Sequence, residues 1–369
     1  MHGIALIAGL ALIVWVLWDA FETILLPRRV PARLRLSRFF LRWLWTPWSA
    51  LALAIRHRPR RENFLGFYAL LSILSLLAAW AAGLITGFAM LLWAGGSHIA
   101  ADGEHATFAL DLYLSGSTFS TLGLGDVRPM TGLARALIVI EAGTGFGFLA
   151  LVISYLPVLY QAFSKREARI TMLDEWAGSP PTAAVLLRRC FEARDPNVLS
   201  ALLKEWEVSS AQILESHLSY PILCYFRSQH DNQSWLASLT AILDACAFVI
   251  VGIEGIDPFQ ARLTFAIGRH ALVDLSQTLR LRPTLVERAP LEAQTLFELR
   301  AWLAQAGVRL APGAEADRKL AELRALYAPY AERLSKLLVM PLPPCLPPPK
   351  ARYNWETTAW GRTHIEEWH

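Results

Sequence analysis

The chain has 369 residues, 54% of them hydrophobic and 18% charged, with a formal net charge of +4. Residues 1–164 hold 12 Lys+Arg against 8 Asp+Glu, while 165–369 hold 23 of each, so the surplus charge sits in the apolar half and the rest is neutral. That balance gives nucleic-acid binding no support. The lack of a strand leading into G-x-G-x-x-G, or of a Ser/His/Asp arrangement, gives a nucleotide fold or an enzyme none.

In chain order, Gly3 to Leu26 is long enough for a first membrane span and carries no charge as far as Trp18. It has no basic leader, and Leu26-Pro27-Arg28-Arg29 reads as a membrane exit, so it is expected to stay on the protein. Asp19 and Glu22, three residues apart on one helical face, are expected to pair with Arg28, Arg29 or the next helix. Arginines cluster at 28, 29, 33, 35 and 38, and again at 56, 58, 60 and 61, which marks both loops as cytoplasmic. Between them, Phe39 to Ile55 includes Trp43, Trp45 and Trp48 and reads as a helix lying in the interface; the alternative is a short true span.

Phe64 to Trp93 holds no charged residue and forms the second long span. Ala94 to Ala106 is a polar external stretch, and Ala136 to Phe163 is the third span, with Glu141 its only charge. Phe108 to Asp126 lies between those spans and is too short to cross, so it reads as a re-entrant helix and loop. The resulting protein is a multi-pass plasma-membrane protein, in contact with lipid, with its C-terminal domain in the cytoplasm.

The loop reads Thr121-Leu122-Gly123-Leu124-Gly125-Asp126. It has no lysine for phosphate, and what remains is a ladder of carbonyl oxygens that glycine conformations can align, with the leucines packed behind. Four copies about an axis would replace the hydration shell of a monovalent cation. "TLGLGD" resembles the potassium-channel signature T-V-G-Y-G-D, with similarity over roughly Phe64 to Lys165. The resemblance implies a homotetramer whose K⁺ sites use Thr121, Leu122, Gly123 and Leu124, with Gly125 shaping the outer mouth and Asp126 capping the filter. It implies a gating hinge in Gly143-Thr144-Gly145-Phe146-Gly147, with Gly145 the best match. K⁺ is then the permeant ion, and no cofactor is implied.

Leu124 replaces the usual tyrosine, Tyr113 is left of an aromatic pair in the pore helix, and Ser117 stands where several family members have a glutamate that bonds the signature Asp. The filter is therefore expected to be held mainly by packing. A weakly selective cation channel, or a non-conducting sensor or scaffold on the same fold, are the alternatives. Glu141, near the bilayer middle, is expected to face the cavity as one of a ring of four carboxylates, with Thr144 one turn on; a hydrogen bond to a serine or threonine of the pore helix is the other reading.

From Ser164 onward the pattern is helical. Gly178-Ser179-Pro180-Pro181 separates two helices, while Asp195-Pro196 and Asp257-Pro258 start others. Trp235 to Gly252 is apolar enough to span, yet Asp244 sits in it and no arginines flank it, so a buried core helix is expected. The four cysteines lack metal-ligand spacing and read as free thiols. "MPLPPCLPPPK" (340–350) is a polyproline-like connector to a tail with Trp355, Trp360 and Trp368, which either docks on a subunit or stays disordered.

The expected architecture is an all-α membrane protein with a tetrameric potassium-channel-like pore, divided at 1–63 (first span and interfacial helix), 64–164 (pore module), 165–340 (helical cytoplasmic domain) and 341–369 (connector and tail). Gating is expected to bend or rotate Gly143–Gly147 under a cytoplasmic domain that answers to an unknown small molecule, ion or protein.

Overall fold

A computed structural model describes residues 2–24, 36–96, 99–101, 107–230, 232–282 and 291–347. The arginines at 28, 29, 33 and 35 and the tail tryptophans lie outside the described residues. The chain forms two compact units, one of residues 1–54 and 67–161 and one of 55–66 and 162–369.

The first unit holds α1 (His2–Ile24), α2 (Leu36–Ala54), most of α3 (Arg58–Ala94), α4 (Phe108–Phe119) and the first part of α5 (Gly132–Ala177). Both α3 and α5 outrun the apolar segments read from the sequence, to 37 and 46 residues. Hydropathy marks the part of a helix that lipid can bathe, and the backbone ladder continues through charged residues such as Arg60 and Glu62. At about 1.5 Å per residue, α5 is roughly 70 Å long.

Helix α1 packs on α3 through glycines. A β-carbon on Gly9 would lie 2.8 Å from the Gly87 carbonyl, and one on Gly83 2.9 Å from Val16. In lipid there is no hydrophobic drive between helices, so close backbone approach at small residues supplies the dispersion contact. Beside this seam Trp80 Nε1 donates to buried Asp19 Oδ2 at 2.9 Å. That buried partner was not among those expected for Asp19, and it keeps the carboxyl in the α1–α3 interface.

Helix α2 carries Pro47 and buries Trp45 edge-on against Tyr68 of α3, with ring centroids 4.6 Å apart. The Tyr68 hydroxyl donates to the Leu41 carbonyl. Sequence reading gave no strands, yet β1 (Ile99–Ala101) pairs antiparallel with β2 (Val127–Pro129) in the register Ile99↔Pro129 and Ala101↔Val127. This ribbon joins the segment before α4 to the segment after the loop. Below it Leu92, Leu110, Leu114, Val127 and Ala134 form one apolar cluster.

The second unit is a helical bundle: α6 (Ala183–Glu192), α7 (Pro196–Ser219), a 3₁₀ turn (Pro221–Tyr225), α8 (Trp235–Gly252), α9 (Phe259–Thr278), α10 (Ala293–Gln305), α11 (Ala314–Ala325) and α12 (Ala328–Leu338). Asp195 caps α7 by accepting from Asn197 N at 2.9 Å, with Pro196 at the first turn. Among the described residues, helix α8 is one of four helices long and apolar enough to cross a membrane, but 83% of its apolar window is buried inside the protein, against 11% for α5. It is surrounded by α6, α7, α9, α11 and α12. Asp244, in its middle, bonds Arg324 and the Tyr327 hydroxyl, which satisfies the carboxyl within the bundle.

Cys190, Cys224, Cys246 and Cys345 are free. Burial pushes the first two thiols up to about 12 and leaves them poorly nucleophilic.

Substituting Gly9→Ile should force α1 off the Gly87 carbonyl and cost about 1–3 kcal/mol of folding stability. The check is the temperature at which the detergent-solubilised protein loses its monodisperse gel-filtration peak; Gly3→Ile, where nothing lies within 4 Å, should leave it unchanged.

Candidate functional site

Helix α4 begins at Thr107, whose side chain accepts from Leu110 N at 3.3 Å, and ends after 12 residues. Its C-terminus is closed by Thr121 N donating to Thr118 O at 3.0 Å and Leu122 N donating to Ser117 O at 2.9 Å, with Thr121 left-handed at φ 58°. This is the Schellman pattern, with a threonine where glycine is usual. Gly123 (φ 59°) and Gly125 (φ 78°) are left-handed too, so every second residue from 121 to 125 reverses its backbone turn. Glycine accepts this freely; Thr121 does so at a cost in strain.

Leu122 and Leu124 are 65% and 63% exposed, and all of 121–126 is exposed in the single chain. The expectation that both leucines pack behind the loop thus fails within one protomer, because α4 ends before the loop and leaves no helix there to cover them. Tyr113, about two turns before Ser120, reaches forward instead. Its hydroxyl donates to Asp126 Oδ2 at 2.7 Å, and Asp126 Oδ1 accepts from Val127 N at 3.1 Å. The loop is therefore braced by a hydrogen bond as well as by packing, which corrects the sequence reading. The brace runs from tyrosine on the helix to the aspartate, and Ser117 is not needed for it.

Arg128, which the sequence reading passed over, donates through Nε to the Gly125 carbonyl at 2.9 Å. A guanidinium thereby occupies the last carbonyl of the run, next to Asp126, and four carbonyls, of Thr121 to Leu124, stay clear of it. The spacing Gly125-x-x-Arg128 was the available signal.

Glu141 does not face an open cavity. It is 0% exposed and bonded to Ser115 of α4, which also donates to the Ile85 carbonyl of α3 at 2.7 Å. The pore-helix alternative wins because a carboxyl in an apolar wall needs a polar partner and Ser115 is within reach. Thr144 spends its hydroxyl on the Ile140 carbonyl at 2.8 Å and is half-buried.

The three glycines of α5 differ. Gly143 and Gly147 have nothing within 4 Å of a notional β-carbon, whereas one on Gly145 would lie 2.2 Å from the Phe119 carbonyl. Gly145 is where the inner helix touches the end of α4, two residues before the loop, and the Phe119 and Phe148 rings flank that contact at 5.7 Å. Along the same helix Val139, Ile140, Phe146, Leu149 and Ile153 are exposed, an apolar face that none of the described residues covers.

In the second unit the N-terminal end of α3 and the C-terminal part of α5 meet one short segment. Arg166 of α5 is buried and donates to the Leu223 carbonyl at 2.8 Å, the Phe226 carbonyl at 3.0 Å and Glu167. Its Nη1 also donates to His217 Nε2 at 3.1 Å. Arg227 pairs with Glu62 of α3 at 3.4 Å and donates to the carbonyls of Leu338 and Val339 at the end of α12. Residues 221–228 thus tie α3, α5 and α12 together. The arginines at 58, 60 and 61 were visible in the sequence as topology markers, but Glu62 and Arg166 find partners 165 and 57 to 60 residues further on.

The sequence model of a family described as "Ion channel" matches residues 67–161, which take in most of α3, all of α4 and its loop, and α5 to Gln161. Those residues are similar to that family, within an all-α membrane protein. Over 143 residues the chain is 29% identical to "Uncharacterized membrane protein YdjJ" of Bacillus subtilis (strain 168), a match that covers 38% of this chain and 40% of that protein. The chain therefore spans less than half the length of this relative. No solved structure matches.

Gly145→Ala should cost about 1–3 kcal/mol, since a backbone carbonyl cannot yield as a side chain can. Thermal unfolding in detergent checks it, with Gly147→Ala expected to be neutral or slightly stabilising. A second expectation concerns acid. Burial and the Arg166 charge hold His217 well below the usual histidine range, so the folded protein keeps it neutral while the unfolded chain takes a proton below about pH 6.5. Stability from this group is complete above that pH and falls as pH drops, by on the order of 1–2 kcal/mol at about pH 5. His217→Gln, which still offers Arg166 an acceptor, should flatten that part of the unfolding-midpoint profile.

Proposed function

We propose that the chain is one subunit of a homotetrameric, potassium-selective channel of a microbial plasma membrane, with the carbonyls of Thr121, Leu122, Gly123 and Leu124 as the K⁺ ladder. The observation that carries this reading is the alternation of left-handed residues at 121, 123 and 125 in an exposed loop, set at the C-terminus of a half-length helix between two long ones. Such backbone offers oxygens and nothing else, and at membrane depth it is tolerated only where it lines a watery path. The C-terminal end of α4 adds a partly negative potential there.

The exposed leucines of the loop and the uncovered face of α5 support assembly, since a membrane protein gains by placing such faces and polar backbone against its own copies. The Tyr113–Asp126 bond supplies the brace that Leu124 cannot, which favours a rigid, selective filter over a loose one. Gating, on this reading, uses the Gly145–Phe119 contact as its pivot. The segment 221–228 transmits the state of the C-terminal bundle, placed in the cytoplasm, to α3 and α5. The stimulus is a small molecule, ion or protein that binds that bundle.

Purified protein in liposomes should pass K⁺ well ahead of Na⁺, and Gly123→Asp, which blocks the alternation and adds a charge, should abolish flux. Tyr113→Phe should keep flux and narrow the K⁺/Na⁺ ratio. Equal K⁺ and Na⁺ rates in the wild type would instead indicate a weakly selective cation channel, and no flux a sensor or scaffold.

A further inference from the structure

Glu141, Ser115 and the Ile85 carbonyl form a line of polar atoms from the inner helix through the pore helix to the outer helix, with both side chains fully buried. The proton count along this line is restrictive. A serine hydroxyl owns one proton, and the Ile85 carbonyl can only accept, so the 2.7 Å bond from Ser115 to Ile85 uses that proton. The contact between Ser115 Oγ and the Glu141 carboxyl then needs a proton of its own, which only the carboxyl can bring. The second carboxyl oxygen points the same way: Oε2 is buried and has no hydrogen-bond partner. A neutral acid's carbonyl tolerates that, whereas a carboxylate oxygen does not.

Among the described residues, the elements packed around Glu141 offer no cation to hold an anion there. From Phe64 to Trp93 the outer helix has no charged residue, and between Arg135 and Lys165 the inner helix has none but Glu141. Arg135 is exposed and turned to the Pro129 carbonyl. On α4 the only charged residue is Asp111, one turn before Ser115 on the same face and also buried, and a second acid would repel an anion. Tyr113 is turned to Asp126. Helix α1, packed on α3 at Gly83 and Gly87, has no Asp, Glu, Lys or Arg before Asp19, which is engaged by Trp80.

We infer that Glu141 is kept as a neutral carboxylic acid that donates to Ser115, and that this acid–hydroxyl–carbonyl chain is what seats α4 between the two long helices. Glu141 is thus a positioning residue for the loop, which begins six residues after Ser115. Removing its proton leaves Ser115 one proton for two acceptors, so one of its two bonds breaks, α4 loses its tie to one long helix and the loop is disabled; raised pH thus shuts the protein down. The effect on ion flux rests on the channel reading above; the protonation state does not.

The test uses full-length protein in lipid: wild type, Glu141→Gln, Ser115→Ala and Asp111→Asn. Infrared spectra near neutral pH should show the carbonyl stretch of a protonated carboxylic acid, diminished in Glu141→Gln and kept in Asp111→Asn. K⁺ flux of the wild type should fall roughly tenfold, reversibly, between about pH 7 and about pH 10. Glu141→Gln, whose amide can still donate to Ser115, should conduct within about twofold of wild type near neutrality and show no alkaline loss. Ser115→Ala should lower the K⁺/Na⁺ ratio at every pH.

No acid band, a band undiminished in Glu141→Gln, or an alkaline loss that persists in Glu141→Gln would each overturn the inference. If no variant conducts, the channel reading fails, but the band still decides the proton. The positioning role is then decided by thermal stability, which should drop at alkaline pH in the wild type and not in Glu141→Gln.

Discussion

A 12-residue helix cannot cross a bilayer, and the loop that follows it exposes backbone that lipid cannot solvate. Several features of the first unit seat that helix. Thr107 caps its start, the Leu110–Leu114 face joins the apolar cluster of Leu92, Val127 and Ala134, and Ser115 ties it to α3 and α5. Gly145 lets the inner helix come up to the last carbonyl of the helix with no side chain between. The polar tie is small in number of bonds but sits where water is absent, so each bond there discriminates strongly between one placement and another.

The loop itself shows how a missing group can be replaced from another direction. With leucine at 124, no hydroxyl reaches from the loop back to the helix; Tyr113 reaches from the helix to Asp126 instead. The aspartate also takes the Val127 amide, so the turn out of the loop and into β2 is fixed by the same carboxylate. Arg128 adds a permanent positive charge one step further on, against the Gly125 carbonyl. On the proposed reading, this cation bounds the run of free carbonyls at its outer end.

Helices α3 and α5 each belong to both units, and that continuity is the physical basis of the proposed gating. A single helix transmits rotation and tilt with little loss, because its hydrogen-bond ladder is unbroken. In the second unit, Arg166 and Arg227 use main-chain carbonyls of 223, 226, 338 and 339 as their acceptors, with Glu62 and Glu167 as counter-charges. Carbonyls fixed by the fold make a firmer anchor than mobile side chains. A shift of the 221–228 segment would therefore move both long helices at once.

Much of this protein can be read from its sequence. Charge-free runs longer than a bilayer, with arginine clusters at their ends, define an all-α membrane protein, because lipid imposes length and polarity on a chain locally. The same logic separated α8 from the true spans through Asp244. Partner choice was not legible. Glu141 could have met water or Ser115, and Asp19 an arginine or Trp80, since sequence gives the need of a buried carboxyl for a partner but not its address. Which glycine of Gly143, Gly145 and Gly147 matters for packing, and which hydroxyl braces Asp126, depends on atoms 13 to 30 residues away in the chain. Those choices belong to the tertiary structure, because hydrogen bonds and close contacts are set by distances of a few ångström that no local pattern encodes.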